Sequence, residues 1–490
     1  MRRVQRFLRI LPLTASFPLL ACGSTDEPAA LPDAPRCEIA LPAPPDERLA
    51  PDGTVLRDAL GRIVFLRGVN AGGRSKFAPF VPFDFASTEA GFQESLDRYL
   101  DRAAAWGVSA LRVPFVWAAV EPTPGTDDEI FLARYDALLD GAWKRRIWTI
   151  VDFHQDIYSD VYCGDGFPGW TLPFPTPEPH HDCPDWFVRY SQDEDVKAAF
   201  DKFWTDEHGA RTAFRALWER IAARHATRPG VLGYEPINEP HQGTADLKTW
   251  EQTVLTPFYT EMAALLRAKD PTALVFFDAT GTDAIGASTY LDKPEGEGLV
   301  FAPHWYDSIA LFGGTPAPSN AATYLSKWAD KGREWNMPVL IGESGVPRHL
   351  ETAGEYVTAV YDAMDDNALH FTYWEYSDSK ETWNAEDLSL IDDEGQEATA
   401  ITSVVARPYP RAVAGEAPSF RYDAAARRFA LAYDAPTENG VTEIIVPERN
   451  YPAGYRVELS NGCVDATHPG VLLVRPSAGA TRVELSVHPR

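Results

Sequence analysis

The chain has 490 residues, of which 45% are hydrophobic and 24% are charged, a balance typical of globular proteins. This length exceeds one ordinary domain and suits a (β/α)₈ barrel followed by a smaller domain. The formal net charge of -26 disfavours contact with phosphate backbones, so we expect no nucleic-acid partner.

The first 21 residues predict an export signal, with a basic start and an apolar stretch over residues 7–20. The stretch ends at Ala21-Cys22, and small residues before a cysteine resemble the bacterial lipoprotein signal. We therefore expect lipidation at Cys22 and anchoring at the cell envelope, with a plain secretory signal as the alternative. No later stretch approaches the ~20 apolar residues that a membrane-spanning helix needs.

Residues 22–48 are rich in Pro, Ala and Asp, a composition that predicts a flexible linker. Export permits disulfides, and four cysteines follow Cys22, namely Cys37, Cys163, Cys183 and Cys463. The second and third flank one loop-like stretch and are predicted to pair, which leaves the first and last to join the two ends of the chain. A metal site at His180-His181 is the alternative, but the short Cys-x₂-Cys spacing of structural zinc is missing, so we expect no metal and no cofactor.

From about residue 54, short apolar runs alternate with longer amphipathic stretches. The predicted strands are 63–69, 110–114, 148–153, 231–237, 273–277, 299–303, 338–341 and 368–374, and the clearest predicted helices are 91–106, 130–145, 210–224 and 253–268. Strands that alternate with helices imply parallel pairing. The count predicts a (β/α)₈ barrel over residues 49–404, with a doubly wound sheet as the alternative.

Beyond residue 408 the pattern changes to short alternating runs separated by Gly, Pro and Asn. These runs are 420–422, 428–433, 442–446, 456–459, 470–474 and 481–487. Residues 405–490 are therefore predicted to form an antiparallel β-sandwich.

Polar residues follow most of the predicted barrel strands, where barrel enzymes carry their reactive groups. Glycoside hydrolysis needs one carboxyl group to protonate the leaving oxygen and a second to attack or to activate water. Glu239 ends the fourth strand and Glu343 ends the seventh, so both are expected to face the same barrel mouth. They are the predicted catalytic pair, although a surface salt bridge is the commoner role of a single Glu.

The Asn238-Glu239-Pro240 triplet, with Glu343 on the seventh strand, resembles glycoside hydrolase family 5. Matching residues end other strands: His154, His304, Tyr306 and Trp374. Within that family, five segments are similar to endoglycoceramidases, namely residues 67–70, 76–80, 152–156, 164–170 and 407–413. This resemblance implies a retaining enzyme that cleaves the bond between glycan and ceramide in glycosphingolipids.

The resemblance also implies residue roles. Glu343 would act as the nucleophile and Glu239 as the acid/base, with their carboxyl groups about 5 Å apart. Asn238 would bond the hydroxyl beside the anomeric carbon, Tyr306 would hydrogen-bond the nucleophile, and Trp374 would form an apolar floor under the sugar.

Supporting roles follow from the same comparison. Arg112 would help to fix the charge of the nucleophile, and His304 would support the pair. Lys76, Asp152 and His154 are candidates for contacts with sugar hydroxyls, although Lys76 also fits a solvated surface lysine.

A lipid substrate predicts an apolar landing surface and a membrane or micelle as partner. Three stretches qualify, and each also fits a core: residues 77–85, 167–174 and 305–312. The alternatives are an endo-β-glucanase, a β-glucosidase acting on glucosylceramide or sterol glucoside, and a non-enzymatic carbohydrate-binding lipoprotein. We expect a monomer.

Overall fold

The computed structural model describes residues 33–43, 48–172, 186–286, 288–378, 387–437 and 439–490. Eight parallel strands form one sheet: Arg67–Asn70, Ala110–Phe115, Trp148–Phe153, Val231–Glu235, Leu274–Phe277, Leu299–Phe301, Leu340–Ile341 and His370–Tyr373. The last strand pairs with the first, and a parallel bridge from Phe301 to Val339 joins the sixth strand to the start of the seventh. The sheet therefore closes, which confirms the predicted (β/α)₈ barrel.

Helices cover the outside of the barrel. The longer ones are Glu89–Ala105, Glu129–Lys144, Glu194–Thr205, Ala210–His225, Thr256–Lys269, Pro318–Trp335, Ala353–Asp366 and Thr399–Val405, and the short ones are Trp117–Val120, Arg189–Gln192, Leu247–Trp250, Gly281–Gly286 and Ser308–Leu311. Side-chain caps begin several of them, as where Asp128 accepts hydrogen bonds from the amides of Ile130 and Phe131. Apolar residues at helical spacing then face the sheet, so each helix packs against the strands beside it.

The C-terminal region forms two antiparallel sheets around a core of their own. The larger has seven strands, in the order Ala50–Asp52, Val55–Arg57, Ile63–Val64, Tyr409–Val413, Thr442–Ile445, Val471–Pro476 and Gly462–Asp465. The smaller has four, in the order Glu416–Asp423, Arg428–Asp434, Arg482–Pro489 and Tyr455–Ser460. This arrangement is the predicted C-terminal β-sandwich.

The predicted first barrel strand, 63–69, is two strands in two different sheets. Ile63–Val64 pairs with Tyr409–Val413 of the sandwich, whereas Arg67–Asn70 belongs to the barrel. The side chains of Ile63 and Phe65 lie in the sandwich core. Residues 50–64, assigned to the barrel on sequence, therefore complete the sandwich, because one continuous apolar run serves both cores.

The predicted flexible linker is wrong for its described part, residues 33–43. The amide of Ala34 donates to the carbonyl of Val457 (2.9 Å), and the amide of Ile39 donates to Asp465 (2.8 Å). A disulfide joins Cys37 to Cys463, with an S–S distance of 2.06 Å. Paired backbone groups and a covalent bond hold this segment against the sandwich.

Other predictions fall outside the described residues. Cys163 is buried and disulfide-bonded, but its predicted partner Cys183 and the neighbouring His180-His181 are among the residues not described. The same holds for residues 1–21 and Cys22. Within the described ranges, no helix combines the length and the apolar character that crossing a membrane requires.

Candidate active site

The two predicted catalytic carboxyl groups meet at the carboxyl end of the barrel. One oxygen of Glu239, one oxygen of Glu343 and one ring nitrogen of His304 all lie within 4.8 Å of one another. Retaining glycosidases hold their carboxyl groups about 5 to 5.5 Å apart, whereas inverting enzymes leave about 6.5 to 9.5 Å for a water molecule. The separation fits direct attack by a carboxylate.

Glu343 is held by two hydrogen-bond donors. Arg112 donates from Nη1 to Oε1 (2.7 Å), and the Tyr306 hydroxyl donates to Oε2 (2.8 Å). Hydrogen bonds of this kind favour the negatively charged carboxylate and fix its orientation. Both partners were predicted, and this position suits a nucleophile.

Arg112 connects several strand ends. Its guanidinium binds both oxygens of Glu235 (2.8 and 2.9 Å) and donates to Asn238 Oδ1 (2.8 Å) and Asn70 Oδ1 (3.0 Å). It also lies 3.1 Å from Asp152. Because Arg112 is fully buried and held by this network, it cannot swing away from Glu343.

Glu239 lies in a different electrostatic environment. Burial, with a smaller contribution from the negative charge of Asp156, raises the pKa of Glu239 to about 7. Its Oε1 lies 2.8 Å from His304 Nδ1, and burial lowers the pKa of His304 to about 3. Glu239 therefore keeps a proton near neutral pH beside a neutral imidazole, as a general acid requires.

The raised pKa of Glu239 predicts the alkaline limit of activity. The acid must be protonated to assist the leaving group, so kcat/KM should fall as pH rises through about 7. The measurement is kcat/KM against pH for a substrate with a poor leaving group. A profile that stays flat up to about pH 9 would contradict the assignment of Glu239 as the acid.

A charged cluster forms one wall of the cleft. Lys76 Nζ lies 2.5 Å from Asp156 Oδ2 and 4.6 Å from the centre of the Trp374 ring. The His154 ring stacks on the same Trp374 ring at 5.3 Å. Burial opposes the charged form of His154, but its hydrogen bonds with Asp152 and Asp156 prevail and raise its pKa to about 10.

Two predictions for this wall change. Lys76 is buried, which rules out the alternative of a solvated lysine. Asp152 does not line the cleft, because it is fully buried one level deeper in the barrel, where it binds His154 Nδ1 (2.9 Å) and Arg112. The predicted contact of Asp152 with sugar hydroxyls is therefore corrected. Asp156, which follows the end of the same strand, lines the cleft instead.

The cleft is a cavity of about 420 Å³. Its lining includes Lys76, His154, Asp156, Asn238, Tyr306 and Trp374, and its apolar rim comprises Phe187, Ile285, Leu311 and Phe312. The side chains of Phe312, Ile285 and Phe187 are 69%, 46% and 42% exposed. Exposed apolar side chains clustered at a cleft mark contact with an apolar ligand.

Among the described residues of the three predicted landing stretches, those that reach this rim are Leu311 and Phe312 of the stretch 305–312. In the stretch 77–85, Phe83 is fully buried and packs against Phe92. In the stretch 167–174, Phe167 is buried, and residues 173–174 are outside the described part. These two stretches belong to the core in their described parts, because their rings fill spaces between barrel and helices.

Among the described residues, three groups of mostly buried His, Asp and Glu lie close enough to share a metal ion: His154, Asp156 and Asp165; Glu235, Asp278 and His304; and Glu239, His304 and Glu343. Positively charged side chains of the protein already bind several carboxylates of these groups. Lys76 binds Asp156, and Arg112 binds both Glu235 and Glu343. The chemistry of these groups fits protein cations better than a bound metal.

Sequence reasoning missed several residues of the site. Asp156 belongs to the polar segment after the third strand, and its position there was an available signal. Glu235 lies inside an apolar strand and Phe187 in a long loop, so neither carried a local signal.

Comparison with known proteins then decides the family. The family model described as cellulase, glycosyl hydrolase family 5, matches residues 77–380, and a family 5 C-terminal domain model matches residues 407–487. The chain belongs to glycosyl hydrolase family 5. This family 5 protein is therefore a glycoside hydrolase, and the non-enzymatic alternative is not favoured.

Relatives of this family 5 enzyme include endoglycoceramidase I of Rhodococcus hoagii (strain 103S), 28% identical over 476 residues that cover 91% of this chain and 89% of the relative. Among solved structures, endo-glycoceramidase II from Rhodococcus sp. in a ganglioside GM3 complex has a TM-score of 0.74 at 25% identity, covering 90% of this chain and 100% of that one. The lactosyl-enzyme intermediate of the same protein has a TM-score of 0.72 at 25% identity, covering 89% and 100%. The predicted resemblance to endoglycoceramidases is confirmed.

Proposed function

We propose that this enzyme hydrolyses the β-glycosidic bond between the glycan and the ceramide of glycosphingolipids, with retention of configuration. The observation that carries the proposal is a cleft around the Glu239–Glu343 pair whose lining combines charged and polar side chains with exposed apolar ones. The relatives named endoglycoceramidase support the same substrate class.

The reaction follows from the two carboxyl environments. The Glu343 carboxylate attacks the anomeric carbon while Glu239 gives its proton to the glycosidic oxygen, and the bond to the lipid breaks. A glycosyl ester on Glu343 results. The Glu239 carboxylate then takes a proton from water, whose oxygen attacks the anomeric carbon and releases the glycan.

The position of the rim indicates where the lipid lies. Ile285 lies in the helix Gly281–Gly286 after the fifth strand, Phe312 follows the helix Ser308–Leu311 after the sixth, and both line the cleft together with Glu239, which serves the leaving group. Lys76, Asp156 and Trp374 lie in the segments that follow the first, third and eighth strands. We infer that the glycan contacts these polar residues and that the lipid contacts Ile285 and Phe312, where each buried methylene would contribute about 0.8 kcal/mol.

The rim predicts a variant that separates lipid from sugar recognition. Phe312→Asp should lower the rate on a purified glycosphingolipid about 10-fold or more, because a charge replaces apolar contact with the lipid chains. Cleavage of a chromogenic β-lactoside should change less than about 2-fold, since its small aglycone does not reach the rim. Both rates are measured for each variant.

Leu60→Asp serves as the matched control, because Leu60 is also a large, exposed apolar residue (57% exposed) but lies in a turn of the sandwich sheet, away from the cleft lining. It should leave both rates unchanged. Equal losses for Phe312→Asp on the two substrates would remove the lipid role of the rim. Wild-type cleavage of cello-oligosaccharides without cleavage of glycosylceramides would favour the endo-β-glucanase alternative.

We further propose that the enzyme is exported, is anchored through a lipid on Cys22 and acts on a membrane or micelle surface. The basic and apolar N-terminus that ends at Ala21-Cys22 supports export. The net charge of -26 disfavours attraction to anionic lipid, so the apolar rim would supply the surface contact. The mass of the mature N-terminal peptide tests lipidation, and an unmodified peptide that begins elsewhere would refute it.

A further inference from the structure

His304 connects the acid/base Glu239 to a third buried carboxyl group, that of Asp278. Its Nδ1 lies 2.8 Å from Glu239 Oε1, and its Nε2 lies 3.4 Å from Asp278 Oδ2. Nε2 is buried and forms no hydrogen bond within the described part of the chain. The backbone of Gly342 packs against Nε2 so closely that a Cβ atom there would lie 3.0 Å from the nitrogen, and residue 342 therefore presents no side chain to Nε2.

Asp278 also holds the backbone of Glu239. Its Oδ2 accepts a hydrogen bond from the Glu239 amide (3.1 Å), and its Oδ1 accepts one from the Ala279 amide (2.6 Å). Glu239 has a φ of 38°, a left-handed conformation that non-glycine residues rarely adopt. The Tyr259 hydroxyl donates to the Asp278 carbonyl (2.9 Å), which fixes the end of the fifth strand.

The charge of Asp278 is not balanced by a nearby cation. Arg112 directs its hydrogen bonds to other groups, and no Lys or Arg among the described residues forms an ion pair with Asp278. Burial, followed by the negative charges of Glu235 and Glu239, raises the pKa of Asp278 well above its ordinary value. The neutral acid is the form that this environment favours.

We propose that Asp278 is a positioning residue whose O–H group donates to His304 Nε2, so that the imidazole keeps its proton on Nδ1 and donates it to Glu239 Oε1. The transferable proton of Glu239 is then confined to Oε2. With the opposite tautomer, Nδ1 would accept the Glu239 proton and turn it away from the substrate. This inference rests on the proposed role of Glu239 as the acid.

The direction of Oε2 agrees with this arrangement. A Cβ atom on Gly281 would lie 2.7 Å from Glu239 Oε2, so the glycine, which lines the cleft, keeps this oxygen accessible. During bond cleavage only the Oε2 proton moves, from Glu239 to the glycosidic oxygen, and water later returns one proton to Glu239. Asp278 and His304 keep their own protons throughout.

The test compares Asp278→Ala and Asp278→Asn on two substrates. Asp278→Ala should slow glycolipid cleavage about 10-fold, because the unlocked imidazole can accept the Glu239 proton, yet it should slow an activated dinitrophenyl β-lactoside less than about 2-fold. Because this hydrogen bond stabilises protonated Glu239, Asp278→Ala should also move the alkaline limb of the pH profile to higher pH. A general loss of folded enzyme would lower both rates equally and leave the limb in place.

Asp278→Asn distinguishes a protonated, neutral Asp278 from an ionised one. Its amide is neutral and can donate to Nε2, so the alkaline limb should keep its wild-type position. If Asp278 is instead a carboxylate, removal of its negative charge would move the limb to lower pH, and the proposal would be overturned.

The limb reports Glu239 together with the titratable and charged groups that face it or Asp278, namely Lys76, Arg112, His154, Asp156, Glu235, His304 and Glu343. These groups stay constant between the variants. Asp365→Asn serves as the control, since Asp365 is a buried carboxyl group in the last turn of the helix Ala353–Asp366, where it binds Arg67 (2.6 Å). It should lower both rates by the same factor and leave the limb unmoved.

Equal losses on both substrates for Asp278→Ala, with an unmoved limb, would overturn the positioning role. Failure of the proposed function gives a different result, because the wild-type enzyme would then show no glycosphingolipid cleavage.

Discussion

Glu343→Ala should lower turnover on the order of 10⁴-fold or more, because the variant cannot form the covalent glycosyl ester. Azide fits the space that the carboxylate vacates and attacks the anomeric carbon of an activated substrate directly. The rescued product should be a glycosyl azide of inverted configuration. The measurements are the steady-state rate with and without azide and the anomeric configuration of the product by NMR.

Glu443→Ala is the matched control for loss of a buried glutamate. Glu443 is buried in the sandwich, where it binds Arg146 (3.0 Å) and Arg411 (3.2 Å). This variant should lower thermal stability without a response to azide. A Glu343→Ala enzyme that keeps a near wild-type rate would refute the double-displacement mechanism.

Glu239→Ala should slow glycolipid cleavage about 10²- to 10⁴-fold, the usual contribution of a general acid. A ceramide alkoxide is a poor leaving group and needs a proton, whereas dinitrophenolate leaves without one. The first step on dinitrophenyl β-lactoside should therefore stay fast, and the glycosyl-enzyme should accumulate, because its hydrolysis still needs the base. Azide should relieve this second step and give a product of retained configuration.

The pattern of loss distinguishes an acid/base from a binding residue. A pre-steady-state burst with the activated substrate, followed by slow turnover, is the expected record for Glu239→Ala. Glu239→Gln should behave in the same way, since its amide cannot transfer a proton. Equal slowing of both substrates, without a burst, would assign Glu239 to substrate binding.

The sequence by itself determines the barrel and the catalytic pair. Apolar runs of strand length alternate with amphipathic helices, and this local periodicity allows few architectures. Parallel strands bring their carboxyl ends to one face, so Glu239 and Glu343 had to meet although 104 positions separate them in the chain. The resemblance to glycoside hydrolase family 5 implied that Tyr306 and Arg112 lie beside Glu343, where the structure has them.

Only the tertiary structure decided which partner each apolar or charged residue meets. Phe83 and Phe312 look alike as sequence, yet Phe83 fills the core and Phe312 stands at the cleft rim. Asp152 and Asp156 belong to one polar segment, but Arg112 holds the first in the interior and only the second reaches the cleft. Burial depends on contacts between segments far apart in the chain, and local periodicity carries no information about those contacts.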